Sequence, residues 1–173
     1  IQALNVIAGT MKLTAQIKLQ PTPEQAQALL ETMERTNAAC NYVSDTAWET
    51  STFRQFSIHK LAYRNVRDRF GLSAQVTVRL IAKVADAYKL DRRTKRAFKP
   101  LSAISYDERV LRYFVEKRIV SIWAVGGRQK IPFVTGKRQL TLLQTQQGES
   151  DLALVNGQFY LFATCNIEEA EPF

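Results

Sequence analysis

The sequence predicts an α+β protein in which a helical segment lies between one early strand and a strand-rich second half. Three observations carry this reading: a period-2 stretch at Met11 to Gln20, apolar spacings of three and four from Pro23 to about Lys89, and short runs rich in Val, Ile, Phe and Tyr after Pro100. A length of 173 residues with 46% hydrophobic content fits one compact domain or two small ones.

In Met11 to Gln20, apolar Leu13, Ala15, Ile17 and Leu19 alternate with Lys12, Thr14, Gln16 and Lys18, the pattern of a half-buried strand. Pro21-Thr22-Pro23 then opens a helix. Thr22 suits the N-cap, Pro23 the first helical position, and Gln25 completes a capping box. Ala26, Leu29, Leu30, Met33, Asn37, Cys40 and Ser44 form its core-facing stripe, through about Thr50.

A second helix begins near Ser57 and buries Ile58, Leu61, Ala62, Val66 and Phe70, with Gly71 as its left-handed C-terminal cap. Its polar side carries Lys60, Arg64, Arg67 and Arg69. Ser73 caps a third helix, which buries Thr77, Leu80, Ile81, Val84, Ala85 and Tyr88 and leaves Arg79, Lys83 and Lys89 near the opposite surface. The three helices make a small bundle.

The second half is expected to be all strand: Val110 to Val115, Ile119 to Trp123, Ile131 to Val134, Leu140 to Leu143, Leu152 to Val155 and Phe159 to Thr164. Gly126-Gly127 marks one tight turn, and Asn156-Gly157 is the strongest hairpin signal in the chain. Such closely spaced strands imply a small barrel or a strongly curled sheet, completed by the early strand. The expected division is residues 11–20 with 100–173 for the barrel and 21–99 for an inserted helical domain. Met11 resembles a natural start, so residues 1–10 are expected to be an upstream extension or a cloning remnant.

Composition narrows the chemistry. No apolar run approaches the roughly 20 residues of a membrane span, and Ile1 to Thr10 lacks the basic start of a secretory signal, so a cytoplasmic protein is expected. Cys40 and Cys165 stand apart, outside any CxxC or Cys/His cluster. The single histidine, His59, reads as an ordinary helical residue, so histidine-based hydrolase chemistry is not expected. The pairs Asp45 with Glu49, Asp107 with Glu108 and Glu168 with Glu169 read as solvated surface, without the convergence that two-metal catalysis needs. No metal or other cofactor is expected in this chain.

Charge is distributed unevenly. Residues 54–138 hold 21 Lys or Arg against 6 Asp or Glu, a net +15, within a chain whose net charge is +8. Lys89, Arg92, Arg93, Lys95, Arg96 and Lys99 place six cations in eleven residues, opposed by Asp91, and no Glu occurs between residues 50 and 107. Such a segment builds a local field for polyanions. The expected phosphate contacts are Arg92, Arg93, Lys95, Arg96 and Lys99, then Arg64, Arg67, Arg79 and Lys83 on the helices. On the strands, Arg112, Lys117, Arg118, Arg128 and Lys130 alternate with Tyr113, Phe114 and Trp123, a combination suited to RNA. Filling the barrel is the competing role for Phe114 and Trp123.

Four segments resemble, in order, the N-terminal half of TnpB (OrfB-type) proteins of insertion sequences, long named transposases and related to type V CRISPR effectors. They are MKLTAQIKLQPTPEQAQALLETMERTNAACNYVS, GLSAQVTVRLIAKVADAYK, GGRQKIPFV and GESDLALVNGQFYLFATCNIEEAEP, spanning Met11 to Pro172. The resemblance implies a wedge domain, a small antiparallel β-barrel of oligonucleotide-binding type, interrupted after its first strand by a helical recognition domain. It implies binding of a guide RNA and of target DNA beside a short duplex motif. In the family, cleavage belongs to a following RuvC-like nuclease domain with a zinc ribbon. The chain is therefore expected to be a fragment or truncated relative that binds nucleic acid without cutting it, its nuclease domain missing. Two other readings stand beside this one: a stand-alone double-stranded DNA-binding protein, and a protein-interaction module with a basic face.

Overall fold

The computed structural model describes residues 5–7 and 10–168. In chain order the elements are β1 (Asn5–Ile7), β2 (Thr10–Leu19), α1 (Pro23–Glu49), α2 (Gln55–Phe70), α3 (Ala74–Leu90), β3 (Ile104–Tyr106), β4 (Leu111–Phe114), β5 (Ile119–Ala124), β6 (Gly127–Val134), α4 (Lys137–Leu143), β7 (Gln146–Val155) and β8 (Gln158–Glu168). The protein is α+β: these helices accompany one antiparallel sheet, in the order β3-β7-β8-β2-β6-β5-β4, with β1 paired to β2.

Local chemistry sets the start of α1, the start of α3 and the end of α2. Thr22 accepts from the Gln25 backbone N–H at 3.2 Å while the Gln25 side chain accepts from the Thr22 N–H at 3.0 Å, a complete capping box. Ser73 caps α3 by accepting from the Val76 N–H. Gly71 ends α2 at φ +61, where a side chain would be strained. The bundle core is formed by the expected stripes, with one exception on α2. Ile58, Ala62 and Val66, spaced by four, are fully buried, whereas Leu61 falls beside that row and stays 46% exposed.

Besides the short β1, β2 serves two strands from the second half of the chain, and the sheet curls about it. It pairs with β8 from Thr10 to Lys18, and with β6 only at Lys18 and Leu19. Between β1 and β6 the second edge of β2 is open, and α4 covers it. Gln139 Oε1 accepts from the Gln16 N–H at 2.7 Å, and the Thr135 hydroxyl donates to the Gln16 carbonyl at 3.1 Å. This corrects the expectation that Leu140 to Leu143 is a strand. A run of four residues has no readable period, and Leu142 and Leu143 are buried as a short helix against β2 and β8. The second half is therefore not all strand. The three-residue strand β3 is too short to leave a pattern in the sequence.

Hairpin turns follow their residues. Asn156 and Gly157 have φ +50 and +76 between the paired Val155 and Gln158, as a type I′ turn requires. At the other turn Ala124 pairs with Gly127, so Val125 and Gly126 form the loop. Where the sheet's ends approach, side chains cross the gap. The Tyr106 hydroxyl of β3 donates to the Trp123 carbonyl at 2.9 Å, and Tyr113 of β4 shares a 2.8 Å hydrogen bond with Ser150 of β7.

Both cysteines are buried and unpaired. Burial pushes the Cys40 thiol up from 9.0 to about 12, against a smaller opposing effect of the Lys83 charge. Burial likewise raises Cys165 to about 11, offset in part by a hydrogen bond from the Ala15 backbone. Burial also holds the Tyr106 and Tyr113 phenols well above their usual range. In the unfolded chain these groups ionise first, so the unfolded state binds fewer protons and stability falls as pH rises. Urea midpoints are expected to be insensitive to these groups below pH 9.0, the unperturbed thiol value, and to drop above it. Neither thiol is expected to react with Ellman's reagent before unfolding. Rapid modification of the folded protein at pH 8 would contradict the burial.

Candidate nucleic-acid interface

From Asp91 to Ala103 the chain forms neither helix nor strand, yet its backbone is fixed along α1. The Arg96 N–H donates to the Tyr88 hydroxyl at 3.1 Å, and the Arg96 carbonyl accepts from Ser44 Oγ. Asn41 clasps Phe98 at both ends, accepting from its N–H at 2.8 Å and donating to its carbonyl at 3.0 Å. Asn37 Nδ2 reaches the carbonyls of Pro100 and Ser102 at 3.0 and 2.9 Å. Lys83 Nζ donates to the Ala103 carbonyl. Asn37, Asn41 and Ser44 lie four and three residues apart, and so form one row on α1.

The row dictates which side chains reach solvent. Arg96, Phe98 and Ser102 are half-buried, while Arg92, Arg93, Lys95 and Lys99 are exposed. Inward backbone groups are satisfied by side chains, and outward cations are held on a stretch that has already lost its conformational freedom. Tyr88 anchors the start of this strap. Its buried ring lies 4.8 Å from Phe53 and 6.4 Å from Trp48, and the Arg92 guanidinium stands 5.6 Å from the Phe53 ring centre.

Two strap cations have local partners. Lys95 meets Asp45 of α1 at 2.7 Å, and that hydrogen bond raises the lysine pKa above its ordinary value. Arg93 approaches Asp91 at 3.5 Å with its own side chain almost fully exposed. Arg92, Arg96 and Lys99 have no ion pair among the described residues.

The helix cations divide. Arg64 and Arg67 are exposed on α2 and line a cavity of about 530 Å³ with Tyr63, Asp68, Gly71 and Leu72. Arg67 is braced there, donating from Nε to the Leu72 carbonyl and from Nη1 to the Tyr63 hydroxyl, both at 3.1 Å. His59 stacks on the same tyrosine at 4.6 Å. Arg79 and Lys83 do not lie on a free surface as expected. The sheet packs on that side of α3, so Arg79 pairs with Glu149 of β7 and Lys83 caps the strap.

On the sheet, Arg112 stands over the half-buried Phe114 at 5.1 Å, and Lys117 and Arg118 occupy the turn between β4 and β5. Lys130 is exposed on β6, its carbonyl accepting from Gln25 Nε2 at 2.9 Å. Arg128 is committed more deeply than the sequence implies. Its guanidinium donates to Ser121 Oγ at 2.9 Å and to the Arg109 carbonyl at 2.7 Å, bracing the turn beside it. Trp123 and Phe114 are both half-buried, and Tyr113 is tied to Ser150.

The strap's supports, Asn37, Asn41, Ser44 and Tyr88, were not singled out by residue type. For Asn37, Asn41 and Ser44 the signal is a polar spacing of four and three on α1, whereas Tyr88 on α3 reads as a core residue. Of the paired carboxylates, Asp45 serves Lys95, and Asp107 accepts from Gln75 Nε2 and the Arg109 N–H. Glu169 lies outside the described residues. No three His, Cys, Asp or Glu side chains converge among the described residues, and no described helix is long and apolar enough to cross a membrane. A scan against protein-family models and a search of curated proteins found no match to this chain.

Proposed function

We propose that this chain is the nucleic-acid-binding part of a TnpB-type, RNA-guided nuclease, and that it binds a guide RNA and the DNA beside the target. In this reading the curled sheet is the oligonucleotide-binding-like wedge, and α1, α2 and α3 are the recognition domain inserted after its first strand. Cutting belongs to a following nuclease domain, and in this chain Asp45 serves an ion pair and Asp107 a loop. The observation that carries the proposal is the strap: a dense row of cations whose backbone is fixed in advance by Asn37, Asn41, Ser44 and Tyr88. Prior ordering removes much of the entropic cost that a flexible basic tail meets on binding. Each phosphate neutralised by these side chains releases condensed counterions, which makes affinity steeply salt-dependent.

Filter binding of a structured RNA is expected to weaken by about a hundredfold between roughly 50 and 200 mM salt, the response of about four or five phosphate contacts. Affinity that stays level across that range would overturn the electrostatic account. Tighter binding to blunt duplex DNA than to any RNA would favour the stand-alone DNA-binding reading.

A further inference from the structure

α2 and α3 are joined by the short turn Gly71 to Ser73 and run antiparallel, which brings the first turn of α2 and the last turn of α3 to one end of the bundle. That end carries the two most exposed large apolar side chains among the described residues, Phe56 at 71% and Leu90 at 85%. Cations stand over its rings. Lys60 Nζ lies 4.5 Å from the centre of the Phe56 ring, and Arg92 lies 5.6 Å from that of Phe53. Arg54 and Arg93 are exposed near them, and the carboxylates toward this end are Glu49, Asp86 and Asp91, the last two engaged with Lys89 and Arg93. The basic strap leaves from the same place, directly after Leu90.

An exposed aromatic ring with a lysine over it, at a basic end of the bundle, favours one class of partner. A duplex hides the faces of its bases and offers phosphates and groove edges, so it gives Phe56 and Leu90 nothing to cover. A second copy of this chain would bring like charges together. An unpaired strand offers both things this surface lacks, a flat π face for each ring and a phosphate for each cation. We infer that this end of the bundle binds unpaired nucleotides, a base stacking on Phe56 while Lys60, Arg92 and Arg93 meet the flanking phosphates. The inference rests on the nucleic-acid reading above and adds to it the strand state and a base-stacking residue outside the basic strap.

The test measures fluorescence anisotropy of a labelled single strand of about 12 nucleotides, long enough for one such site, and of a blunt duplex of the same length. Wild type is compared with Phe56→Ala, Phe56→Trp and Lys60→Gln, with melting curves to confirm that each variant folds. Phe56→Ala is expected to weaken single-strand binding about tenfold, the loss of one stacked base, without changing its salt slope or duplex binding. Phe56→Trp should retain affinity, and Lys60→Gln should lower the salt slope by about 0.7, the value of one single-strand phosphate contact. Equal single-strand affinity in wild type and Phe56→Ala overturns the inference, as does an equal loss for both probes. Sedimentation showing that Phe56→Ala dissolves a dimer would assign the surface to self-association instead. Binding of the duplex alone would reject this inference and leave the nucleic-acid reading standing, whereas binding of neither probe would reject both.

Discussion

Replacing Arg92, Arg93, Lys95 and Lys99 together by Gln is expected to reduce RNA affinity by about a hundredfold or more at low salt. The slope of log affinity against log salt should flatten by about 3, because each lost phosphate contact removes about 0.7. The fold should survive the change. All four side chains are exposed, and the backbone they stand on is held by groups that the substitutions leave alone. The Lys95 to Asp45 pair is a surface contact that adds little to stability. Binding isotherms between about 50 and 200 mM salt, with circular dichroism as the control for folding, decide the matter. An unchanged slope would remove the strap from the interface. If wild type binds no nucleic acid, the basic face is left to an acidic protein partner.

Asn37→Ala is expected to be the most damaging substitution outside the apolar core, costing about 2–4 kcal/mol. Its amide is fully buried and supplies both the Pro100 and the Ser102 carbonyl, and alanine leaves these acceptors without that donor. Equilibrium urea unfolding measures the loss, and limited trypsinolysis should show faster cleavage after Arg92, Arg93, Lys95 and Arg96 as the strap loosens. RNA affinity should then fall with the salt slope intact, because the cations remain but must be ordered on binding. A change below about 0.5 kcal/mol, typical of an inconsequential surface position, would mean that the strap is held elsewhere.

Both expectations turn on residues that mean different things in the two kinds of reading. Asn37 and Ser44 sit in the helical row that periodicity assigns to packing, and both are buried as expected. Their polar atoms are spent on a segment some 50 to 65 residues further along the chain, a contact that no local pattern encodes. The aromatic end of the bundle was equally hidden. Phe53 and Phe56 lie within two residues of Arg54, but Leu90 and Arg92 join them only because two helices fold back on each other.

Sequence alone determined the features governed by short-range chemistry. Thr22 and Gln25 form their capping box, Ser73 caps its helix, Gly71 takes the left-handed conformation, and Asn156-Gly157 turns its hairpin. In each case the partners lie within a few residues, so the free energy that selects the conformation is local. The basic segment was also visible, since charge is counted without knowing the fold. Tertiary structure alone decided what became of that charge. Arg79 found an acceptor on the distant strand β7, Arg128 on the neighbouring β5 and in the loop before β4, Lys83 found a loop carbonyl, and the strap was laid straight against α1. It also decided that Leu140 to Leu143 would be a helix, because the open edge of β2 at Gln16 needed hydrogen-bonding partners and the short apolar run carried no period of its own to resist.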